Sequence, residues 1–194
     1  MENLANRISF YLYKKKLITK EEDPIYAYGA EVLLESLLLI VAILIFGNIL
    51  GQLFNTFIFI FCFYSLRRYS GGYHADTYKK CFFISLGTYL FAISFSIWAS
   101  INIFILVFSI GNVILLTTAP SQSRVNPKTK KELSDNRKKM LFCMFVMNTF
   151  IISCWYFDFL KEAYFTIGAT LLSVAVLSFI NYIQLLFIRK EEKL

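Results

Sequence analysis

The sequence predicts an all-α polytopic membrane protein, a six-span helical bundle preceded by an N-terminal interfacial amphipathic helix. Of its 194 residues, 57% are hydrophobic and 17% charged, against about 45–50% and about 25% in soluble domains. The apolar residues form blocks long enough to cross a bilayer, and the polar segments between them are too short to bury a core. We therefore expect residues 1–194 to form a single membrane domain.

The expected spans follow the apolar blocks, since a transmembrane helix needs about 17–25 mostly apolar residues. The blocks cover approximately residues 26–47, 50–66, 82–100, 101–119, 140–157 and 163–188. Only the short sequence "ASIN" separates the third block from the fourth. One continuous segment there is the alternative, but it would be far too long for a single crossing.

Residues 1–25 precede the first span and are expected to begin with a helix at the membrane surface. Apolar residues recur there at helical spacing and are followed by three lysines that would meet lipid headgroups: Leu4, Ile8, Tyr11, Leu12 and Lys14–Lys16. The segment contains no apolar run long enough for the core of a signal peptide, so we do not expect it to be cleaved.

The basic residues set the expected orientation. Nineteen of the 20 Lys and Arg fall in segments 1–25, 67–80, 120–139 and 189–194, on one predicted side, and the other side has only Lys161. Because basic residues favour the cytoplasmic side, we expect both termini and these loops to be cytoplasmic. The charges flank apolar blocks instead of forming a separate face, which indicates contact with lipid headgroups and not with nucleic acid.

The loop "RRYSGGYHADTYKKC", residues 67–81, contains the only histidine, His74, and one of the four cysteines, Cys81. Free cysteine titrates at about 8.5, so a neighbouring imidazole and nearby cations are needed to favour the nucleophilic thiolate at neutral pH. Four cations lie in the same loop: Arg67, Arg68, Lys79 and Lys80. The alternative is a basic membrane-surface loop in which His74 is exposed and Cys81 is a small apolar residue.

The spacing of His74 and Cys81 constrains the shape of the loop. A straight helix would separate the two residues by about 10.5 Å, whereas proton transfer needs about 3 Å. We therefore expect the segment to bend, with Gly71 and Gly72 supplying the unusual backbone angles just before His74.

Glu31 and Glu35 lie one helical turn apart within the first expected span. Carboxylates are costly in lipid, so both should face the bundle interior or a polar cavity, although Glu31 could instead reach the lipid headgroups. Glu35 lies deeper and needs a partner such as Arg67, Arg68 or His74. That partner could complete a Cys–His–acid arrangement or could form an ion pair that only packs helices. One histidine and no HExxH pattern leave too few metal ligands, and we expect neither a metal nor another cofactor.

The loop resembles the AgrB (accessory gene regulator B) family of bacterial membrane peptidases. The pattern R-x3-G-G-x-H-A-x5-C carries the resemblance and is formed by Arg67, Gly71, Gly72, His74, Ala75 and Cys81. The length, the basic N-terminal segment, the topology and Ala119-Pro120 after the fourth span also match, so the resemblance covers essentially the whole chain. The chain departs from the family at Asn126-Pro127-Lys128, where Asn-Lys-Pro is frequent.

The resemblance implies a cysteine endopeptidase and cyclase of quorum sensing in a bacterial cell membrane. Cys81 would attack the peptide bond before the acidic tail of an AgrD-like propeptide, with His74 as base and then acid. An internal Cys or Ser of the propeptide would take the acyl group and close a thiolactone or lactone. The expected supporting residues are Arg67, Gly71, Gly72, Glu31 and Glu35, and those expected to bind the acidic tail are Lys79, Lys80, Lys130 and Lys131.

The expected partners are the propeptide, membrane lipids and a second copy of the chain, since family members are thought to act as homodimers. Two other functions remain open. A peptide transporter would use Glu31 and Glu35 along its path, and its flux would survive loss of Cys81. A non-enzymatic scaffold would need neither His74 nor Cys81.

Overall fold

The computed structural model describes residues 2–71, 78–122 and 129–191 and folds this part of the chain into seven α-helices. They are α1 (Glu2–Lys14), α2 (Asp23–Ile49), α3 (Leu53–Ser70), α4 (Tyr78–Trp98), α5 (Ile101–Thr118), α6 (Lys130–Tyr156) and α7 (Lys161–Glu191). No strand occurs among these residues, and the predicted all-α polytopic fold is confirmed.

Five helices of the described ranges are long and apolar enough to cross a membrane, namely α2, α4, α5, α6 and α7. The remaining long helix, α3, has 18 residues but carries Asn55 near its start and Arg67 and Arg68 in its last turn. These polar residues keep the mean hydropathy of α3 below that of the most apolar 18-residue stretch in each of the other five helices. The sequence predicts six spans, and the crossing by α3 stays a prediction.

The predicted start of the fifth span, at residue 140, does not coincide with the start of its helix, because α6 begins at Lys130. Thr129 and Glu132 form a capping box: the Glu132 N–H donates to Thr129 Oγ1 at 3.3 Å, and the Thr129 N–H donates to the Glu132 carboxylate at 2.7 Å. Hydropathy detects only the apolar part of this helix. The basic residues 130–139, predicted to lie in a loop, are therefore helical.

Hydrogen bonds between helix ends define the two ends of the bundle. At one end, the N–H of Ser121, which follows α5, donates to the carbonyl of Ser70 at the end of α3, at 3.0 Å. At the other end, Asn55 near the start of α3 donates to Glu162 near the start of α7, at 3.0 Å. The first end also holds the starts of α4 and α6 with their lysines, and we call it the basic end.

Helix α7 lies at the centre of the bundle and packs against α3, α4, α5 and α6. Most of its apolar stretch is buried, whereas most of α2 and α5 faces outward. A Cβ added to Gly111 of α5 would lie only 2.9 Å from the backbone N of Leu172, so these two helices touch through their backbones. Phe104 of α5 also stacks on Phe165 of α7, with 4.5 Å between ring centroids.

Helix α1 packs along the start of α2. The buried Ser9 hydroxyl donates to the backbone carbonyl of Asp23 at 2.7 Å and also contacts the Asp23 carboxylate. Leu4, Ile8 and Tyr11, on the predicted apolar face, remain exposed. The helix thus leaves its apolar face uncovered by the rest of the chain, as expected of a helix at a membrane surface, and its contact with lipid stays a prediction.

Candidate active site at the basic end

Cys81 lies near the start of α4, half-buried at the basic end, and its thiol is free. The two exposed lysines predicted to attract an acidic substrate, Lys79 and Lys80, precede it directly. The other three cysteines are also free, and Cys62 and Cys154 are fully buried. Partial burial leaves the Cys81 thiol reachable while part of its surroundings is apolar.

Arg67 is a cation on a neighbouring helix that interacts with Cys81. It lies in the last turn of α3, and its guanidinium interacts electrostatically with the Cys81 thiol. The Arg67 Nη1 donates to the carbonyl oxygen of Gly71 at 3.1 Å. Arg67, Gly71 and Cys81, three of the residues singled out in the sequence, therefore lie together.

Gly71 ends α3 with φ 69° and ψ −147°, a combination that essentially only glycine adopts. The unusual backbone angle expected at this glycine is present. A Cβ at Gly71 would also lie 2.7 Å from the backbone oxygen of Ser121, so the position requires glycine for space as well. Gly71 lets the end of α3 contact the segment after α5.

That segment, residues 119–122, is held by α6 and α7. Asn181 of α7 donates from Nδ2 to Ser121 Oγ and to the Gln122 carbonyl, at 2.9 Å each. Arg137 of α6 donates to the carbonyls of Leu116, at 3.2 Å, and Ala119, at 3.4 Å. Arg137 thus satisfies carbonyls at the end of α5 that the helix itself leaves free, and Asn181 binds the segment that follows.

The two acids of α2 lie on one half-buried face, as their spacing predicts, and Glu35 interacts electrostatically with Glu31. Ser36, the next residue, interacts with the Tyr64 hydroxyl of α3, which in turn interacts electrostatically with Cys81. Through Tyr64, the helical turn of α2 that contains Glu35 is therefore linked to Cys81. Its pairing with Arg67, Arg68 or His74 stays a prediction.

The second pair of lysines predicted to bind substrate, Lys130 and Lys131, is exposed in the first turn of α6, after the Thr129 cap. A cation–π contact connects α6 to α3, because the Lys139 Nζ lies 5.8 Å from the centroid of the Tyr69 ring. The same ring lies 5.8 Å from the guanidinium carbon of Arg68. Cations of α3 and α6 therefore converge on one surface of the basic end.

Two predicted site residues, His74 and Gly72, lie outside the described residues. The distance from His74 to Cys81, and the bend expected between them, stay predictions. Within residues 2–71, 78–122 and 129–191, no group of three or more His, Cys, Asp or Glu side chains could hold a metal ion.

Sequence reasoning missed Ser121, Arg137 and Asn181. A signal for Asn181 exists, because it is a carboxamide within a mainly apolar stretch of α7, and polar residues inside membrane helices are costly unless they are paired. The sequence contains no comparable signal for Ser121, whose contacts depend on how α3, α5 and α7 pack.

Comparisons with known proteins agree with the resemblance of the loop. The family model described as "Accessory gene regulator B" matches residues 5–188. The chain is 26% identical over 169 residues to "Putative AgrB-like protein 2" of Clostridium perfringens (strain 13 / Type A), covering 80% of this chain and 79% of the relative. It is 28% identical over 153 residues to "Putative AgrB-like protein" of Clostridium perfringens (strain SM101 / Type A), covering 73% and 71%. No solved structure matches the chain. Because the family match spans nearly the whole sequence, the chain belongs to the accessory gene regulator B family.

Proposed function

We propose that this chain is a membrane-embedded cysteine endopeptidase and cyclase acting on an AgrD-like propeptide, with Cys81 as nucleophile and His74 as base. Its family is involved in processing the AgrD propeptide in quorum sensing. The observation that supports this chemistry best is the half-buried Cys81 thiol, which interacts with the Arg67 guanidinium at the basic end. A cation beside a thiol favours the thiolate, the form that attacks a carbonyl.

In the first step His74 takes the thiol proton, and Cys81 Sγ attacks the carbonyl carbon of the bond before the C-terminal tail. The C–N bond then breaks, His74 returns the proton to the departing amine, and the tail leaves. The rest of the propeptide stays attached to Cys81 as a thioester.

In the second step His74 takes the proton from the side chain of an internal Cys or Ser of the propeptide, and that side chain attacks the same carbonyl carbon. The Cys81 sulfur leaves and is protonated again, and a thiolactone or lactone ring closes. Water would compete in this step, so the site must limit its access. The partial burial of Cys81 at one end of a membrane bundle is suited to that requirement.

Recognition of the propeptide would be electrostatic at its tail. Lys79, Lys80, Lys130 and Lys131 are exposed at the basic end and would attract acidic residues. An amphipathic propeptide helix would lie on the same membrane surface as α1, whose apolar face is uncovered.

The test uses the chain in lipid vesicles with the propeptide of the same organism. Cys81→Ala and His74→Ala should each slow release of the tail at least about 10³-fold, since they remove the nucleophile and its base. The matched control is Cys143→Ala, which replaces the other half-buried cysteine and should cleave normally. Release of the tail by Cys81→Ala at the normal rate would falsify the proposal.

A second measurement traps the intermediate. A propeptide whose internal Cys or Ser is replaced by Ala cannot close the ring, so the acyl-enzyme should accumulate. Mass spectrometry of the intact protein should then show Cys81 carrying the propeptide without its tail. The mass increment should be absent from Cys81→Ala.

A further inference from the structure

We propose that Asn181 of α7 is a positioning residue for the Cys81 thiol, acting through Ser121, Gly71 and Arg67. The inference rests on the proposed function, because it takes Cys81 to be the reacting group. According to this inference, the buried carboxamide of Asn181 on the central helix affects the reactivity of the Cys81 thiol on α4.

The first step is the set of hydrogen bonds between α7 and the segment after α5. Asn181 is only 5% exposed, and its Nδ2 has two acceptors at 2.9 Å, Ser121 Oγ and the Gln122 carbonyl. A buried carboxamide without partners would cost free energy, so these hydrogen bonds are strongly preferred to their loss. Asn181 therefore fixes residues 121 and 122 relative to the central helix.

The second step passes from this segment to the end of α3. The Ser121 N–H donates to the Ser70 carbonyl at 3.0 Å. The Ser121 carbonyl oxygen lies so close to Gly71 that only a residue without a Cβ fits there. With both a hydrogen bond and direct backbone contact, a displacement of Ser121 must also displace Gly71.

The third step passes from Gly71 to the thiol. The Gly71 carbonyl accepts hydrogen bonds from Arg67 Nη1 and from Ser70 Oγ, at 3.1 Å each. An arginine side chain has several rotatable bonds, so this hydrogen bond restricts where the guanidinium can lie. The Arg67 guanidinium also interacts electrostatically with Cys81, so a displaced guanidinium would change the surroundings of the thiol.

Other titratable or charged side chains also lie near the basic end, on α4 or on the helices packed against it, and all of them are unchanged in the test. These are Tyr64, Arg68 and Tyr69 of α3, Lys79 and Lys80 of α4, Glu31 and Glu35 of α2, and Tyr182 of α7. His74, the proposed base, is also unchanged. A difference between the native residue and a variant at position 181 therefore reports on Arg67 and its supports.

The experiment measures alkylation of Cys81 by iodoacetamide in the full chain with Cys62, Cys143 and Cys154 replaced by Ala, at pH 7 and at pH 10. Asn181→Leu should slow alkylation at pH 7 by about three- to tenfold, because less of the thiol is ionised, and leave the rate at pH 10 within about twofold. Arg67→Gln should slow it at pH 7 at least as much. The double variant should be no slower than Arg67→Gln alone.

The matched control is Asn148→Leu. Asn148 of α6 also donates an interhelical hydrogen bond, from Nδ2 to Asn112 Oδ1 at 2.8 Å, but it is not connected to Gly71. The same substitution there should leave the ratio of the two alkylation rates unchanged. If Asn181→Leu does not fold, Ser121→Ala can replace it. This variant removes one of the Asn181 acceptors and should lower the alkylation rate at pH 7 by a smaller factor.

Three results would overturn the inference. The first is an unchanged ratio of the alkylation rates at pH 7 and pH 10 in both Asn181→Leu and Ser121→Ala. The second is an unchanged ratio in Arg67→Gln. The third is an equal fall in the alkylation rate at both pH values, which would indicate altered access to the thiol. None of them requires the propeptide. They are therefore distinguishable from failure of the proposed function, which is decided by tail release in Cys81→Ala.

Discussion

Gly71 combines two requirements that no other residue meets. Its backbone has φ 69°, and its Cα lies against the Ser121 carbonyl, where a side chain would collide. Its own carbonyl accepts from Arg67, so the turn at the end of α3 also restrains a cation that interacts with Cys81. Gly71 therefore contributes to the surroundings of Cys81 through its backbone alone.

Gly71→Ala should lower the free energy of unfolding by about 1–3 kcal/mol, because alanine is strained at this φ and its Cβ would lie 2.7 Å from the Ser121 oxygen. Reversible unfolding in mixed micelles measures the change. Gly87→Ala is the control, since Gly87 lies within α4 with open space around it, and the change there should be within about 1 kcal/mol. Equal effects of the two substitutions would contradict this account of Gly71.

The residues of the candidate site were predictable to the extent that their chemistry is local. The glycine pair beside cations, a histidine and a cysteine can be recognised within fifteen positions of sequence. Asn181 could not be recognised in this way, because its partners Ser121 and Gln122 precede it by 60 and 59 residues. Only the packing of α7 against α3 and α5 brings them together.

At the level of helices, hydropathy predicted where apolar segments lie but not where helices begin. Helix α6 starts at the Thr129–Glu132 capping box, and its first turns are polar and basic, so no apolar pattern marks them. As a consequence, Lys130 and Lys131 are held on a helix. They project from a defined position at the basic end, which restricts how an acidic tail could approach them.

The turn between α1 and α2 should respond to acid through Glu22. The Thr19 backbone N–H, at 2.8 Å, and the Thr19 hydroxyl, at 3.1 Å, donate to the Glu22 carboxylate and hold its pKa below the usual range. A lowered pKa in the folded state means that the contribution to stability is fully present above the unfolded value of about 4.3. It is lost as the pH falls through the folded value.

Hydrogen exchange of the Thr19 amide, corrected for its intrinsic rate, measures this effect. Protection should fall as the pH drops below about 4 in the native chain, because protonation of Glu22 weakens the hydrogen bond. Glu22→Gln, which keeps an acceptor but cannot titrate, should show no such dependence. The same fall in both proteins would show that another group is responsible.

The molecule as a whole is polarised along the bundle. The ends of α3 and α5, the starts of α4 and α6 and the Cys81 thiol share the basic end, while the opposite end has Lys161 as its basic residue. The central helix connects the two, through Glu162 at one end and Asn181 at the other. A cytoplasmic substrate with an acidic tail would therefore meet the thiol and the lysines on the same side of the membrane.

This polarity predicts the orientation of the chain, because basic residues are retained on the cytoplasmic side during insertion. In a chain whose four cysteines are replaced, Lys130→Cys should react with a membrane-impermeant maleimide only after cells are permeabilised, and Lys161→Cys should react in intact cells. Each substitution places a single thiol at one end of the bundle, so the two proteins are controls for each other. Labelling of Lys130→Cys in intact cells would place Cys81 and the acid-binding lysines outside the cell. The thiol could not then act on a propeptide that begins in the cytoplasm, so this orientation is a physical requirement of the proposed reaction.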